Sequence, residues 1–201
     1  MGTFSIVARC SKTKSLGVGV CTGSPTVRTR VPHVEAGVGA IATQGYTNIM
    51  YGVRGLQLLK KGFHPRKALE IMLEEDLGKD LRQVAIIDFL GRKAAHTGIR
   101  TEPYSGHIIG EDYVVAGNLI TSSRVLDKMS EEFEAHEKTP LTERLIYVLE
   151  AGDEAGGDRR GNLSAAVVVA EANGKIIDLS VDEHSNPIKE LKRLYEELIE
   201  G

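Results

Sequence analysis

Apolar positions along the chain gather into short runs. Those at 3–10 (TFSIVARC), 15–22 (SLGVGVCT) and 36–44 (AGVGAIATQ) are apolar at odd and even positions alike. Such runs predict strands buried on both faces, with layers above and below the sheet. Gly17, Gly19, Gly37 and Gly39 thread through them, a sign of close backbone approach. The period then lengthens to that of a helix. Val53, Leu56 and Leu59 fall on one stripe of a segment near 48–61, and Leu69, Met72 and Leu73 follow Pro65, which suits a first helical turn. LRQVAIIDFLGRKAAHTG predicts a hairpin turning near Leu90-Gly91, and HIIGEDYVVAGNL a second strand pair. Helical spacing returns with Leu126, Met129 and Phe133, and again with Leu145, Val148 and Leu149 behind Thr139-Pro140, read as N-cap and first helical residue. SAAVVVAEA and KIIDLSV flank Asn173-Gly174, the strongest short-range hairpin signal. A last helix begins at Asn186-Pro187 and carries Ile188, Leu191, Leu194, Tyr195 and Leu198.

Strands therefore arrive in adjacent pairs, with helices in twos between them. That order predicts antiparallel sheets. Burial of both strand faces then calls for two stacked sheets with helices outside, a four-layer α/β/β/α sandwich of the α+β class. No linker, repeat or low-complexity stretch interrupts the chain, so a single domain over 1–201 is expected.

Composition narrows the partners. The net charge is −3 and no basic tract occurs, which argues against nucleic acid. No apolar run approaches the ~20 residues of a membrane span, and the start does not read as a secretory signal. Cys10 and Cys21 form no CxxC pair and suit a reducing compartment, so a cytoplasmic location is expected. GVGVCTG, GVGAIATQG and AGGDRRG lack the spacing of dinucleotide and P-loop motifs. The six histidines make neither HxxxH nor HExxH, so neither a metal nor an organic cofactor is expected.

Several polar groups stand where apolar ones would pack. In AGGDRRGNLSAA, Asp158, Arg159 and Arg160 lead straight into an apolar strand. They either hold a loop by ion pairing or recognise a carboxylate or carbonyl. ATQGYTN places Gln44, Thr47 and Asn48 at a strand end; one of the last two serves as a cap, and the remaining amides are site candidates. Asn118 in VAGNLI has the same character. His96 and His184 lie at strand ends and read as structural hydrogen-bonders or as substrate contacts.

Thr3 carries the sharpest alternative. It either simply suits a strand by its β-branch or acts as a nucleophile whose own α-amine, once free, serves as base. An α-amine with a pKa of roughly 7.7–8.0 accepts a proton near working pH.

TFSIVAR, AGVGAIATQGYTN, YGVRGLQLL, LRQVAIID, AAHTG, VAGNLI, AGGDRRGNLSAAVVV and VDEHSNPIKEL together resemble the domain-of-unknown-function family 1028. That family resembles N-terminal-nucleophile (Ntn) hydrolases, so the resemblance implies amide-bond hydrolysis and leaves the substrate open. Its members usually begin Met-Thr-Phe-Ser. This chain departs at Gly2: loss of Met1 alone would expose Gly2, so a further cleavage is required. The Gly-Thr junction resembles the self-cleaving junction of proteasome β subunits. A second departure is Asn162, where relatives often have Gln or Lys.

The expected enzyme uses Thr3 as nucleophile, Asn118 or backbone N–H groups as oxyanion donors, and Asp158 to orient Arg159 or Arg160 on an acidic substrate end. Gln44, Asn48, His96 and His184 are the further substrate contacts. Expected partners are a small amide, ureide or short peptide, and a second copy of the chain in a homodimer. The alternative is a non-catalytic protein binding a small carboxylated ligand through Arg159 on the same scaffold.

Overall fold

In a computed structural model, which describes residues 2–200, the first two apolar runs become β1 (Thr3–Arg9) and β2 (Leu16–Thr22). They pair antiparallel, with Phe4 opposite Cys21 and Arg9 opposite Leu16. The later strands are β3 (Pro32–Glu35), β4 (Gly39–Gly45), β5 (Arg82–Asp88), β6 (Lys93–Thr97), β7 (Gly106–Ile109), β8 (Tyr113–Asn118), β9 (Ser164–Ala170) and β10 (Ile176–Val181). One sheet has the order β10-β9-β2-β1-β8-β7 and the other β3-β4-β5-β6; every pairing is antiparallel.

The two sheets stack face to face. Val7, Val18, Val20, Ala40, Ala42, Ala85, Ile87, Val114 and Ala166 fill the space between them. Alternate residues of the six-stranded sheet, among them Phe4, Ile6 and Val167, pack outward against α3 (Arg124–Ala135), α4 (Leu141–Glu154) and α5 (Pro187–Glu200). Ile41, Val84 and Ile86 of the smaller sheet do the same against α1 (Met50–Lys60) and α2 (Pro65–Glu75). The result is the four-layer sandwich that both-face burial implies. Gly17 shows why glycine threads β2: a Cβ there would lie 2.8 Å from Leu145 Cδ1 of α4, so the bare backbone lets the helix seat on the sheet.

Local features differ from the sequence reading, among them the face of α1, which buries Tyr51, Leu58 and Leu59 and leaves Val53 exposed. β3 is an additional strand, at the edge of the smaller sheet and only partly covered; its four residues, PHVE, are too short and polar to show a period. Pro140 stands before α4, not in it: its ψ of 140° is extended, and the helix begins at Leu141. His64 caps α2, its ring accepting the Arg66 N–H at 3.2 Å.

Candidate functional site

The space between the sheets is apolar except at one end. There the alternation that supplies Val7, Val20, Ala42, Ala85 and Val114 continues into Thr3 and Ser5 of β1, Thr22 of β2, Gln44 of β4, Gln83 of β5 and Asn118 of β8. All six are buried. Buried polar groups are costly unless hydrogen-bonded; Ser5, Gln44, Gln83 and Asn118 form one directional chain, and Thr3 and Thr22 meet at the Gly2 carbonyl.

Gln83 sets the direction. Its Nε2 donates to the main-chain carbonyls of Gly106 and Gly117 and to Thr97 Oγ1, each at 2.9 Å. Carbonyls only accept, so the nitrogen of Gln83 must face them and its Oε1 must face inward. That oxygen accepts Gln44 Nε2 at 2.7 Å and Asn118 Nδ2 at 3.0 Å. Gln44 Oε1 is then left to accept the Ser5 hydroxyl at 2.6 Å. Asn118, with its nitrogen spent on Gln83, keeps Oδ1 buried and without a partner among the described residues. It offers a ligand an acceptor where the sequence suggests a donor.

Asn118 stands directly opposite Thr3 in the β1–β8 pairing, so the two side chains share a face. Thr3 is 4% exposed. Its Oγ1 donates to the Gly2 carbonyl at 2.6 Å and lies 3.3 Å from Thr22 Oγ1. The same carbonyl accepts Thr22 Oγ1 at 2.5 Å and Arg160 Nη2 at 3.1 Å. Three donors thus converge on the carbonyl that precedes Thr3.

The loop before β9 closes this end. Its anchor is Asp158, whose side chain is fully buried against an Arg160 side chain that is 37% exposed. Asp158 Oδ2 accepts Gly23 N–H and Arg160 Nη2, both at 2.7 Å. Oδ1 accepts the Arg160 main-chain N–H at 3.0 Å and its Nε at 3.1 Å. This pairing with Asp158 raises the Arg160 pKa. The loop is also tied to the strand end of β8 by Arg159 N–H to Leu119 O and an isolated bridge between Ile120 and Asp158. Gly2 lies directly on the carboxylate: a Cβ at Gly2 would meet Asp158 Oδ1 at 2.5 Å. Only glycine fits there without displacing Asp158.

The structure therefore brings together Thr3, Gln44, Asn118, Asp158 and Arg160. It places the other sequence candidates elsewhere. Asn48 precedes α1, its Oδ1 accepting the Met50 N–H at 3.0 Å, as a cap does. His96 pairs with Val84, whose side chain belongs to the helix-facing layer, and its Nε2 lies 2.9 Å from Lys79 O. His184 is exposed and accepts the Asn186 N–H at 3.0 Å ahead of α5. Arg159 is anchored through its main chain and its side chain is exposed. Ser5, Thr22 and Gln83 were not among the sequence candidates. The available signal was a polar residue at the same end of each inward-facing set, such as Gln83 ahead of Ala85 and Ile87.

The chain is similar to protein SPO2555 from Silicibacter pomeroyi, known from a crystal structure, with 33% identity and a TM-score of 0.92 over 98% of this chain and 86% of that one. Anbu (ancestral beta-subunit) from Yersinia bercovieri aligns over 98% of this chain and 94% of its own, at 12% identity and a TM-score of 0.42. No curated protein matches the chain. The model of the family of unknown function DUF1028 matches residues 3–191, and with nearly the whole described fold inside that match the chain belongs to this family.

Proposed function

We propose that this protein is an N-terminal-nucleophile-type amidohydrolase acting on a small amide or peptide, with Thr3 as nucleophile. The observation that carries the reading is the Gly2 carbonyl, held against the Thr3 hydroxyl with Thr22 and Arg160 as further donors. A carbonyl so held is polarised beside a hydroxyl oxygen. Attack of Thr3 Oγ1 on the Gly2 carbonyl carbon forms a C–O bond and breaks the Gly2–Thr3 C–N bond. The hydroxyl proton passes to the departing nitrogen. Water then hydrolyses the ester, releasing the Gly2 carboxylate and regenerating the hydroxyl beside a free α-amine.

In the processed form that amine takes the proton from Oγ1 as the hydroxyl attacks a substrate carbonyl. The substrate carbonyl takes the place of Gly2 O, with Thr22 Oγ1 and Arg160 as oxyanion donors; loss of one such donor typically costs ~10²–10³ in rate. Asn118 Oδ1 accepts a hydrogen bond from the α-amine and so holds it toward Oγ1. Asp158 fixes Arg160.

The test is a hydrolysis screen over small amides, ureides and dipeptides, using protein whose mass confirms a start at Thr3. The expected result is turnover that Thr3→Ala abolishes with an unchanged circular dichroism spectrum. Full activity in Thr3→Ala would rule the nucleophile out. The rival reading, a binding protein for a carboxylated ligand, has Arg159 in its favour. Its guanidinium is exposed and pairs with no carboxylate among the described residues. Retention of Gly2 together with saturable carboxylate binding that Arg159→Ala removes would favour it.

A further inference from the structure

A second cluster lies at the other end of β1, roughly 20 Å along the strand from Thr3. A cavity of about 260 Å³ opens there, lined by Cys10, Lys12, Asp112, Tyr113, Glu137 and Arg144 among others. Arg144 is 7% exposed. Its guanidinium lies 3.4 Å from the centre of the Phe133 ring, and its Nε donates to Phe133 O at 2.6 Å. Neither terminal nitrogen has an acceptor among the described residues, and no carboxylate pairs with it. The acids around the cavity are engaged: Asp112 with Arg9 at 2.9 Å, Glu134 with the Tyr113 hydroxyl at 2.7 Å, and Glu137 with Lys12 at 3.8 Å. Glu111 also borders the opening, and its main-chain oxygen accepts Lys93 Nζ. A buried cation without a counter-charge is costly.

Two groups remain to answer it, the Glu111 carboxylate and the Cys10 sulfur, and of these Cys10 is the one whose charge acts on Arg144. Cys10 is half-buried at the turn between β1 and β2, and its Sγ accepts the Thr13 N–H at 3.5 Å. A partly exposed thiol near a cation and held by a main-chain N–H is the setting in which thiolates react. Burial opposes ionisation, but hydrogen bonds from Thr13 and Lys12 and the charge of Arg144 hold the Cys10 thiol below its ordinary range. Cys21, by contrast, is fully buried in β2, and burial pushes its thiol well up.

We propose that Cys10, ionised on the wall of the cavity that Arg144 also lines, is a modification site for hydrogen peroxide or a similarly small peroxide. The thiolate sulfur attacks one peroxide oxygen. The S–O bond forms, the O–O bond breaks, and hydroxide leaves with the electron pair. The thiol is oxidised to the sulfenic acid and the peroxide is reduced to water, the hydroxide being neutralised by the proton that the thiol released to solvent on ionising. The cavity admits such a molecule, and the Arg144 charge faces the departing hydroxide.

The experiment uses the whole chain. Iodoacetamide alkylation is followed from pH 5 to 10 by peptide mass spectrometry, and a dimedone probe reports sulfenic acid after hydrogen peroxide. The expected result is alkylation of Cys10 with a midpoint below the ordinary ~8.5 of a free thiol, dimedone labelling at Cys10, and neither at Cys21. Arg144→Met should slow Cys10 alkylation at pH 7, and Arg144→Lys should restore part of the lost rate. A Cys10 midpoint at or above that of a free thiol, or absence of dimedone labelling, would overturn the proposal. That readout needs only the unaltered chain and holds if Arg144→Met fails to fold.

Discussion

Asparagine in place of Asp158 keeps the shape of the side chain and exchanges one acceptor oxygen for an NH₂ group. Each oxygen of Asp158 faces two donors: Gly23 N–H and Arg160 Nη2 on Oδ2, Arg160 N–H and Nε on Oδ1. Whichever way the new amide turns, its NH₂ points at two N–H groups. Two hydrogen bonds are lost and one main-chain donor is left facing a donor. Hydrogen bonds to a charged group contribute about 1.5–3 kcal/mol each, and an unsatisfied buried donor costs about 1–3 kcal/mol. The Arg160 side chain is 37% exposed and recovers part of its share by hydration. The expected loss for Asp158→Asn is therefore about 2–4 kcal/mol. In a domain of this size that lowers the midpoint of thermal unfolding by roughly 5–15 °C. Urea titration followed by circular dichroism gives the free energy directly. A change under about 0.5 kcal/mol would refute the view that Asp158 anchors the loop over Thr3.

Two further predictions concern stability. Gln83→Leu removes the acceptor of both Gln44 Nε2 and Asn118 Nδ2. Two buried donors left unpaired cost roughly 2–5 kcal/mol in urea unfolding, and a loss below about 1 kcal/mol would show that the chain of amides rearranges freely. Asp76 accepts Arg82 Nε at 2.8 Å, Gly78 N–H at 2.8 Å and the Tyr51 hydroxyl at 3.1 Å. The Arg82 hydrogen bond leads the set that lowers its carboxyl pKa to about 2. Between the ordinary carboxylate range and that value the unfolded chain binds a proton that the folded one does not. This stabilisation, up to about 2 kcal/mol, is present above pH ~4 and is lost as pH falls towards 2. Asp76→Asn should flatten that part of the stability profile, and an unchanged acid slope would count against the assignment.

The layers were legible because burial on both faces leaves a plain mark. TFSIVAR and SAAVVVA have no polar alternation, and both became central strands. Asn173-Gly174 correctly marked the β9–β10 hairpin. β3 escaped notice because an edge strand with half-buried residues has no such mark. At the site, Thr3, Gln44 and Asn118 stood out as polar residues ending apolar runs, and the fold gathers them. His96 and His184 had the right chemistry and a similar position at strand ends, but the face a strand residue takes depends on register with a partner. Val84 opposite His96 decides that face, and no feature of AAHTG alone reveals it. The inversion of Asn118 from donor to acceptor was equally hidden, since it originates in the main-chain carbonyls of Gly106 and Gly117, two and three strands away from Gln83 in covalent order.

That one-way ordering of amides has an evolutionary consequence. Each member fixes which end of the next one faces it, so an exchange of Gln44, Gln83 or Asn118 alone strands its neighbour with the wrong polarity. Their energetic effects are then coupled, not additive. Among relatives of this chain, positions 5, 44, 83 and 118 are expected to drift in concert, as a single inherited unit.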